Sequence, residues 1–250
     1  MKISPSCYAV TGLYFLPPWG INAGFIVGKE KSMIIDSGAN YLSAQTIYGY
    51  ALSVKESNTF LVINTEKHLD HIGGNSFFAD KGIDIYGHNQ ILRQEEDIKY
   101  LIEDFNLCNL NSVRRGNNEA AILFSKTRVV NPSKKIFCDM GLDLGDLKVQ
   151  IITTPGHTDT NISVYIPSEG VLYCGDCIVD RFIPNLEEGT VGDWQTWKKS
   201  LEKIKGISPT IVVPGHGNII SGQDDIKQEI KRLEIILDEA ITTGKIPTIR

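Results

Sequence analysis

The sequence predicts an α/β protein, and three observations carry that prediction. Strand-length β-branched runs alternate with helix-length amphipathic stretches along the chain. Neither a low-complexity linker nor a repeat at solenoid periods interrupts the alternation. Each cluster of histidines and carboxylates lies directly behind a strand-like run, where a rigid scaffold commonly holds functional loops.

Taken in order, Tyr8 to Tyr14, Ala23 to Val27 and Ser32 to Ile35 read as short strands, the last closing on Asp36-Ser37-Gly38. Leu42 to Lys55 reads as a helix. Phe60 to Ile63 is a continuous apolar run of the kind expected of a buried strand, and it leads into Glu66-Lys67-His68-Leu69-Asp70-His71 and the flexible pair Gly73-Gly74. Asp84 to Tyr86 reads as a strand and Asn89 to Asn106 as a charged helix. Leu107 to Phe137 shows loop signals at Arg114-Arg115-Gly116-Asn117-Asn118 and an apolar stretch at Ala120 to Phe124, without a clear element. Lys148 to Ile152, Ile162 to Ile166 and Val171 to Tyr173 follow as strands. Asp193 is expected to cap a helix carrying Trp194, Trp197, Leu201 and Ile204 at helical spacing. Thr210 to Val213 is the last strand, and Ser221 to Thr243 is an amphipathic helix with Ile226, Ile230, Leu233, Ile236, Leu237 and Ala240 on one face.

The 250 residues suffice for one large domain or two small ones. The net charge of -5, without a basic stripe, argues against nucleic acid as the main partner. Arg114-Arg115 is read as a solvated loop. No apolar run is long enough to cross a bilayer, and no continuous apolar segment precedes Pro17-Pro18, so neither a membrane partner nor an export signal is expected. The 5 cysteines are odd in number and irregularly spaced, which suits a reducing, cytoplasmic compartment. Cys174-Gly175-Asp176-Cys177 has redox-motif spacing, but it brackets an Asp at a strand end instead of opening a helix. Its cysteines are therefore read as small hydrophobes.

Of the 5 histidines, all but His88 fall in three turn-like motifs. These are Glu66–His71, Pro155-Gly156-His157-Thr158 and Pro214-Gly215-His216-Gly217, with Gly175-Asp176 between the last two. Imidazoles mixed with carboxylates are the usual donors of catalytic zinc or iron centres. His88, between a strand and a helix, is set aside as a loop residue with a satisfied hydrogen bond.

In order, the Asp36-x-Gly38 strand end, the His68-x-Asp70-His71 loop, Thr154-Pro155-Gly156-His157-Thr158, Gly175-Asp176 and Pro214-Gly215-His216-Gly217 resemble the motifs of the metallo-β-lactamase fold superfamily. The resemblance runs from about Asn22 to Gly217 and treats residues 1–250 as a single domain. It implies a four-layer αββα sandwich whose strand-end loops face a shared groove. It also implies two metal sites: residue 66, His68 and His157 for the first, Asp70, His71 and His216 for the second, with Asp176 bridging. Two zinc ions, or one, are the implied cofactors. Ions about 3.5–4 Å apart hold a bridging hydroxide and polarise a scissile carbonyl. Asp70 is implied to accept a proton or orient the nucleophile, and Asp36 to support the metal loop from beneath.

The family usually has histidine where this chain has Glu66. A Glu carboxylate reaches about as far from Cβ as a histidine Nε2, so the substitution is geometrically allowed. A further anionic oxygen lowers the Lewis acidity of the ion and favours harder metals such as Fe or Mn. Two divalent ions against three carboxylates retain one positive charge, which a bridging hydroxide cancels; with histidine one positive charge would remain. Three readings of Glu66 stay open: it ligates the first metal, it leaves that site weak so that the second works alone, or it turns away to pair with Lys67 or another cation.

Three further residues are candidates. Asn161 either lies near the metal loop or makes a strand-start hydrogen bond. Arg181 either meets a substrate carboxylate or phosphate or forms a surface salt bridge. Trp19 is placed on a groove-edge loop, whereas Trp194 and Trp197 are assigned to core packing. The function expected is hydrolysis of an ester, thioester, lactone or amide of a small molecule by a metal-bound hydroxide. β-Lactams are a minority expectation, because such enzymes are normally exported. The alternatives are an iron-dependent oxidoreductase of the same fold and a non-hydrolytic metal-binding protein. In the flavodiiron relatives, Glu replaces the second histidine of the motif instead of the first and a flavin domain is present. Oligomeric state is not legible.

Overall fold

The computed structural model describes residues 1–13, 20–106 and 111–247. Trp19, Cys108 and the end of the first expected strand lie outside the described residues.

One sheet contains β1 (Cys7–Val10), β2 (Ala23–Val27), β3 (Lys31–Ile35), β4 (Thr59–Ile63), β5 (Ile85–His88) and β6 (Lys134–Ile136), in that spatial order. The other contains β7 (Met140–Asp143), β8 (Lys148–Thr153), β9 (Ile162–Ile166), β10 (Val171–Tyr173), β11 (Ile211–Val213) and β12 (Ile220–Ser221), again in sequential order. In the first sheet β3 to β6 pair parallel; in the second only β10 and β11 do. The helices are α1 (Tyr41–Val54), α2 (Leu69–Ile72), α3 (Asn75–Asp80), α4 (Glu95–Asp104), α5 (Ser112–Gly116), α6 (Glu119–Leu123), α7 (Val191–Ile207) and α8 (Gln223–Thr243).

Strand periodicity assigns the layers. Successive side chains point to opposite faces, and Met33, Ile35 and Ile63 of the first sheet meet Val149, Val164, Tyr173 and Val213 of the second in a shared inner core. The intervening Ile34 and Val62 point outward onto Ala44, Ile47 and Ala51 of α1 and Phe77 and Phe78 of α3. Leu172 and Val212 point outward beneath Trp197, Leu201 and Ile204 of α7 and Ile230, Leu233 and Leu237 of α8. Strands covered on both faces need apolar residues at every position, which is why β4, β10 and β11 read as unbroken apolar runs. Each fully buried Ile or Leu contributes roughly 1.5–3 kcal/mol relative to exposure. The expected αββα sandwich is the observed architecture.

Local departures have local causes. The helix expected over Asn89 to Asn106 begins only at Glu95, where Gln94 and Asp97 form a capping box. The cap of α7 is Thr190; Asp193 is the third helical residue, whose carboxylate accepts from the Thr190 amide at 2.8 Å and hydroxyl at 2.7 Å. Ser221 belongs to β12, so the last helix starts at Gln223. His88 is the final residue of β5. Arg114 and Arg115 lie in a helical turn in place of a loop, and Arg114 pairs with Glu119. β7 was not legible: its residues are mostly exposed and short in apolar character. Among the described residues no helix is long and apolar enough to cross a membrane.

Candidate metal centre

Parallel register places the donors. Tyr173 of β10 pairs with Val213 of β11, and three residues beyond each stand Asp176 and His216. Likewise Ile35 of β3 pairs with Ile63 of β4, so Asp36 and Thr65 leave the sheet as neighbours. β8 ends at Thr153, and the Thr154 amide donates to Asn161 O at 3.0 Å, closing the turn that carries His157. The same edge links the halves of the sandwich: the Ile162 amide donates to Thr65 O at 2.7 Å. Asn22 joins the His216 loop, its side-chain amide donating to Pro214 O and Gly217 O at 2.9 Å each.

The donors fall into two groups, Glu66, His68, His157 and Asp176 in one and Asp70, His71 and His216 in the other. Glu66 is fully buried. Its Oε2 lies 3.0 Å from His68 Nδ1, and its Oε1 lies 3.2 Å from His71 Nε2 and 3.6 Å from His157 Nε2. Asp176 approaches His71 Nε2 at 3.3 Å, His216 Nε2 at 3.3 Å and His157 Nε2 at 3.4 Å, so it stands between the groups. Asp70 Oδ2 is 3.3 Å from His216 Nε2. Lys67 pairs with Asp159 at 3.0 Å, which removes the reading in which Glu66 turns outward to Lys67.

Both Glu66 oxygens, His71 Nε2 and Asp176 Oδ1 are buried without a hydrogen-bond partner of good geometry. Such orphaned buried polar atoms are rare and point to a bound ion or an ordered water. Donor chemistry agrees: three carboxylates and four imidazoles within a few ångströms form a set that can hold two divalent ions. Without cations, burial opposes a charge on His68, His71 and His216, but the neighbouring carboxylates raise all three. Burial works against a charge on His68, yet Glu66 raises it to about 11. Burial likewise opposes a charge on His216, and Asp176 raises it to about 10. Burial pushes the carboxyls of Glu66, Asp70 and Asp176 up, but the surrounding imidazoles outweigh it and hold all three below their usual range.

Asp36 lies beneath the cluster, against His71. Its carboxylate accepts from the Thr65 amide at 2.8 Å and hydroxyl at 2.7 Å, and it meets His71 Nδ1 at 2.9 Å. Its φ of 59° is an unfavourable conformation for a non-glycine residue, held by these contacts. Asn161 makes the strand-start bonds, donating to Thr154 Oγ1 at 3.0 Å and Cys174 O at 3.1 Å. Arg181 does not line the groove: its side chain is 82% exposed and lies 3.7 Å from Asp180. Its displacement follows from chain direction, since its φ of 62° turns the backbone away after Asp180. Cys174 and Cys177 are buried, and desolvation pushes the Cys177 thiol up to about 12, as suits packing residues.

The groove above the donors has a volume of about 630 Å³. Leu69, Leu101, Val179, Phe182 and Ile183 contribute apolar walls, and Arg93 is the one Arg or Lys lining it among the described residues. Arg93 Nε donates to Lys67 O at 2.9 Å, which ties its guanidinium to the donor loop. Glu188 approaches His68 Nε2 at 3.3 Å from the opposite wall, and that contact holds its carboxyl down to about 2. Arg93, Glu188, Thr65 and Asn22 were all missed in the sequence. Only Thr65, beside Glu66, had a neighbouring motif to point to it.

Two facing sheets, helices on both outer faces and a His/carboxylate cluster at the strand ends define a sandwich protein built around a metal-type centre. The metallo-beta-lactamase superfamily model matches residues 16–105 and 116–216, and the chain belongs to that family. In an alignment of 218 positions that covers 79% of this chain and 67% of the other, the chain is 27% identical to the probable metallo-hydrolase YqjP of Bacillus subtilis (strain 168). It is 25% identical, in an alignment of 209 positions that covers 80% of this chain, to a beta-lactamase-like protein 2 homolog of Caenorhabditis elegans, of which it spans 57%. A metallo-beta-lactamase family protein from Thermus thermophilus shares the fold, with a TM-score of 0.71 at 17% identity over 96% of this chain and 81% of that one.

Proposed function

We propose that the chain is a dinuclear metal-dependent hydrolase acting on an ester, thioester, lactone or amide of a small molecule. The observation that carries this reading is the convergence of two donor groups, with Asp176 between them, at the floor of a substrate-sized groove. When bound, divalent ions supply Lewis acidity for a scissile carbonyl and lower the pKa of water. Glu66, His68 and His157 would hold one ion, Asp70, His71 and His216 the other, and Asp176 both. Asp70 is the donor carboxylate open to the groove, with 27% of its side chain exposed. It would orient the attacking water and take its proton.

The groove also suggests how substrate is oriented. An apolar acyl or ring portion fits against Leu69, Leu101, Phe182 and Ile183, and a carboxylate on the substrate reaches Arg93, the role that one of the two readings gave Arg181. Zinc is the proposed metal, with iron or manganese favoured to the extent that Glu66 adds an oxygen donor.

Elemental mass spectrometry of the purified protein, combined with assays on ester, thioester, lactone and β-lactam substrates before and after chelation, tests the reading. Two equivalents of metal and a chelation-sensitive hydrolysis are expected. Iron with oxygen consumption and no hydrolysis would assign the chain to the oxidoreductases of this fold instead. Arg93→Ala is expected to raise KM for carboxylate-bearing substrates about tenfold or more, in keeping with loss of a charged hydrogen bond, and to leave neutral ones unchanged.

A further inference from the structure

The two histidines of the donor loop present opposite ring nitrogens to the cluster. His71 turns Nε2 inward, toward Glu66 at 3.2 Å and Asp176 at 3.3 Å, and its Nδ1 meets Asp36 at 2.9 Å. His68 turns Nδ1 inward, 3.0 Å from Glu66 and 3.1 Å from His157, and its Nε2 meets Glu188 at 3.3 Å. In both rings the outward nitrogen therefore faces a carboxylate that belongs to neither donor group. A neutral imidazole carries its proton on one nitrogen and donates its lone pair from the other, so the outward partner selects the ligating atom.

We propose that Glu188 is the positioning residue for His68: it accepts from Nε2–H and thereby commits Nδ1 to the metal. This rests on the metal-centre reading above. The anchorage of Glu188 supports the role. It lies two residues before Thr190, whose capping box fixes the start of α7. Behind it, Leu186 is buried and accepts through its carbonyl from the Gly189 amide at 3.1 Å. The 3.3 Å contact lacks the alignment of a hydrogen bond, so His68 Nε2 is buried without a well-placed partner, and rotation of the half-exposed glutamate side chain would align the two. Asp36 is a permanent, buried partner, whereas Glu188 is a partner carried on the groove wall. Of the two rings, His68 is the one whose orientation depends on that wall.

The test compares wild type, Glu188→Ala and Glu188→Gln, each loaded with zinc. Affinity is read by chelator competition, and the His68 tautomer by imidazole ¹⁵N chemical shifts. Glu188→Ala is expected to weaken zinc binding about 10–100-fold and to lose the protected Nε2–H signal. Glu188→Gln, whose amide oxygen still accepts, is expected to restore both to near wild type. An alanine variant with unchanged affinity and an unchanged His68 signal overturns the proposal while leaving the metal centre standing. A wild type that takes up no zinc overturns both.

Discussion

Glu66 Oε1 lies 3.2 Å from His71 Nε2, although the two residues belong to different donor groups. The carboxylate thus spans both halves of the cluster, with its other oxygen on His68. A histidine at this position would serve one group only, through one nitrogen. Glu66→Ala is therefore expected to weaken one ion about tenfold or more and to disturb the second, since loss of even an outer partner costs that much. Glu66→His is expected to retain two ions and to shift metal preference from manganese or iron toward zinc. Elemental mass spectrometry after competitive loading reads both outcomes. Unaltered stoichiometry and preference in both variants would remove Glu66 from the donor set.

Gly215 is required by Asp176. A Cβ on Gly215 would lie 1.8 Å from Asp176 Oδ1, far inside contact distance, and the Gly215 amide already donates to Gly175 O at 2.7 Å. Gly215→Ala is expected to push aside the carboxylate shared by the two groups. Metal content should fall below that of wild type, while far-UV circular dichroism stays unchanged. A variant that loads normally would show that the His216 loop can shift without cost.

Much of this arrangement was legible in the sequence because donors follow strands. His157, Asp176 and His216 stand directly behind β8, β10 and β11, and Glu66 to His71 behind β4. Short, charged or exposed elements were not legible. β7 carries no buried residue, and α5 has none either, so no apolar period marks them. Partners supplied from a distance were equally silent. Glu188 lies 120 positions from His68 and Asn22 lies 192 from Pro214, so only the closed sandwich brings them together. Of the two readings of Arg181, the surface ion pair is the one observed, with Asp180 at 3.7 Å, because proximity to Asp176 along the chain does not survive the turn in the left-handed region at Arg181 itself.

The electrostatics of the ion-free cluster set a pH dependence. With no cation bound, His68 is raised to about 11 and His216 to about 10 because Glu66 and Asp176 outweigh their desolvation. A raised histidine pKa contributes stability that is complete below the ordinary value near 6.5 and is lost as pH rises through the raised one. Ion-free protein is therefore expected to lose thermal stability between about pH 6.5 and 11, whereas metal-loaded protein holds its stability there. Metal binding must also displace these imidazole protons, so affinity should rise with pH. Calorimetry at pH 7 in two buffers of different ionisation enthalpy reads the release. Identical binding heats in the two buffers would contradict it.

Trp197 joins the α7 core to the metal-type centre. It is 1% exposed, its Nε1–H donates to Cys177 O at 2.9 Å, and its ring packs edge-on against His157 at 5.4 Å. Gly156, with φ of 151°, brings the His157 turn so close that a Cβ there would lie 2.3 Å from Trp197 Cα. Trp197→Ala should cost about 3–5 kcal/mol, as large aromatic deletions in cores do. Trp197→Phe keeps a ring but strands the Cys177 carbonyl, with an expected cost of roughly 1–3 kcal/mol. Denaturant unfolding measures both losses. Metal affinity should fall more in Trp197→Ala than in Trp197→Phe, because only the former removes the ring that supports His157. If the two variants bind metal equally well, the ring does not hold the imidazole in place, and Trp197 acts on the fold alone.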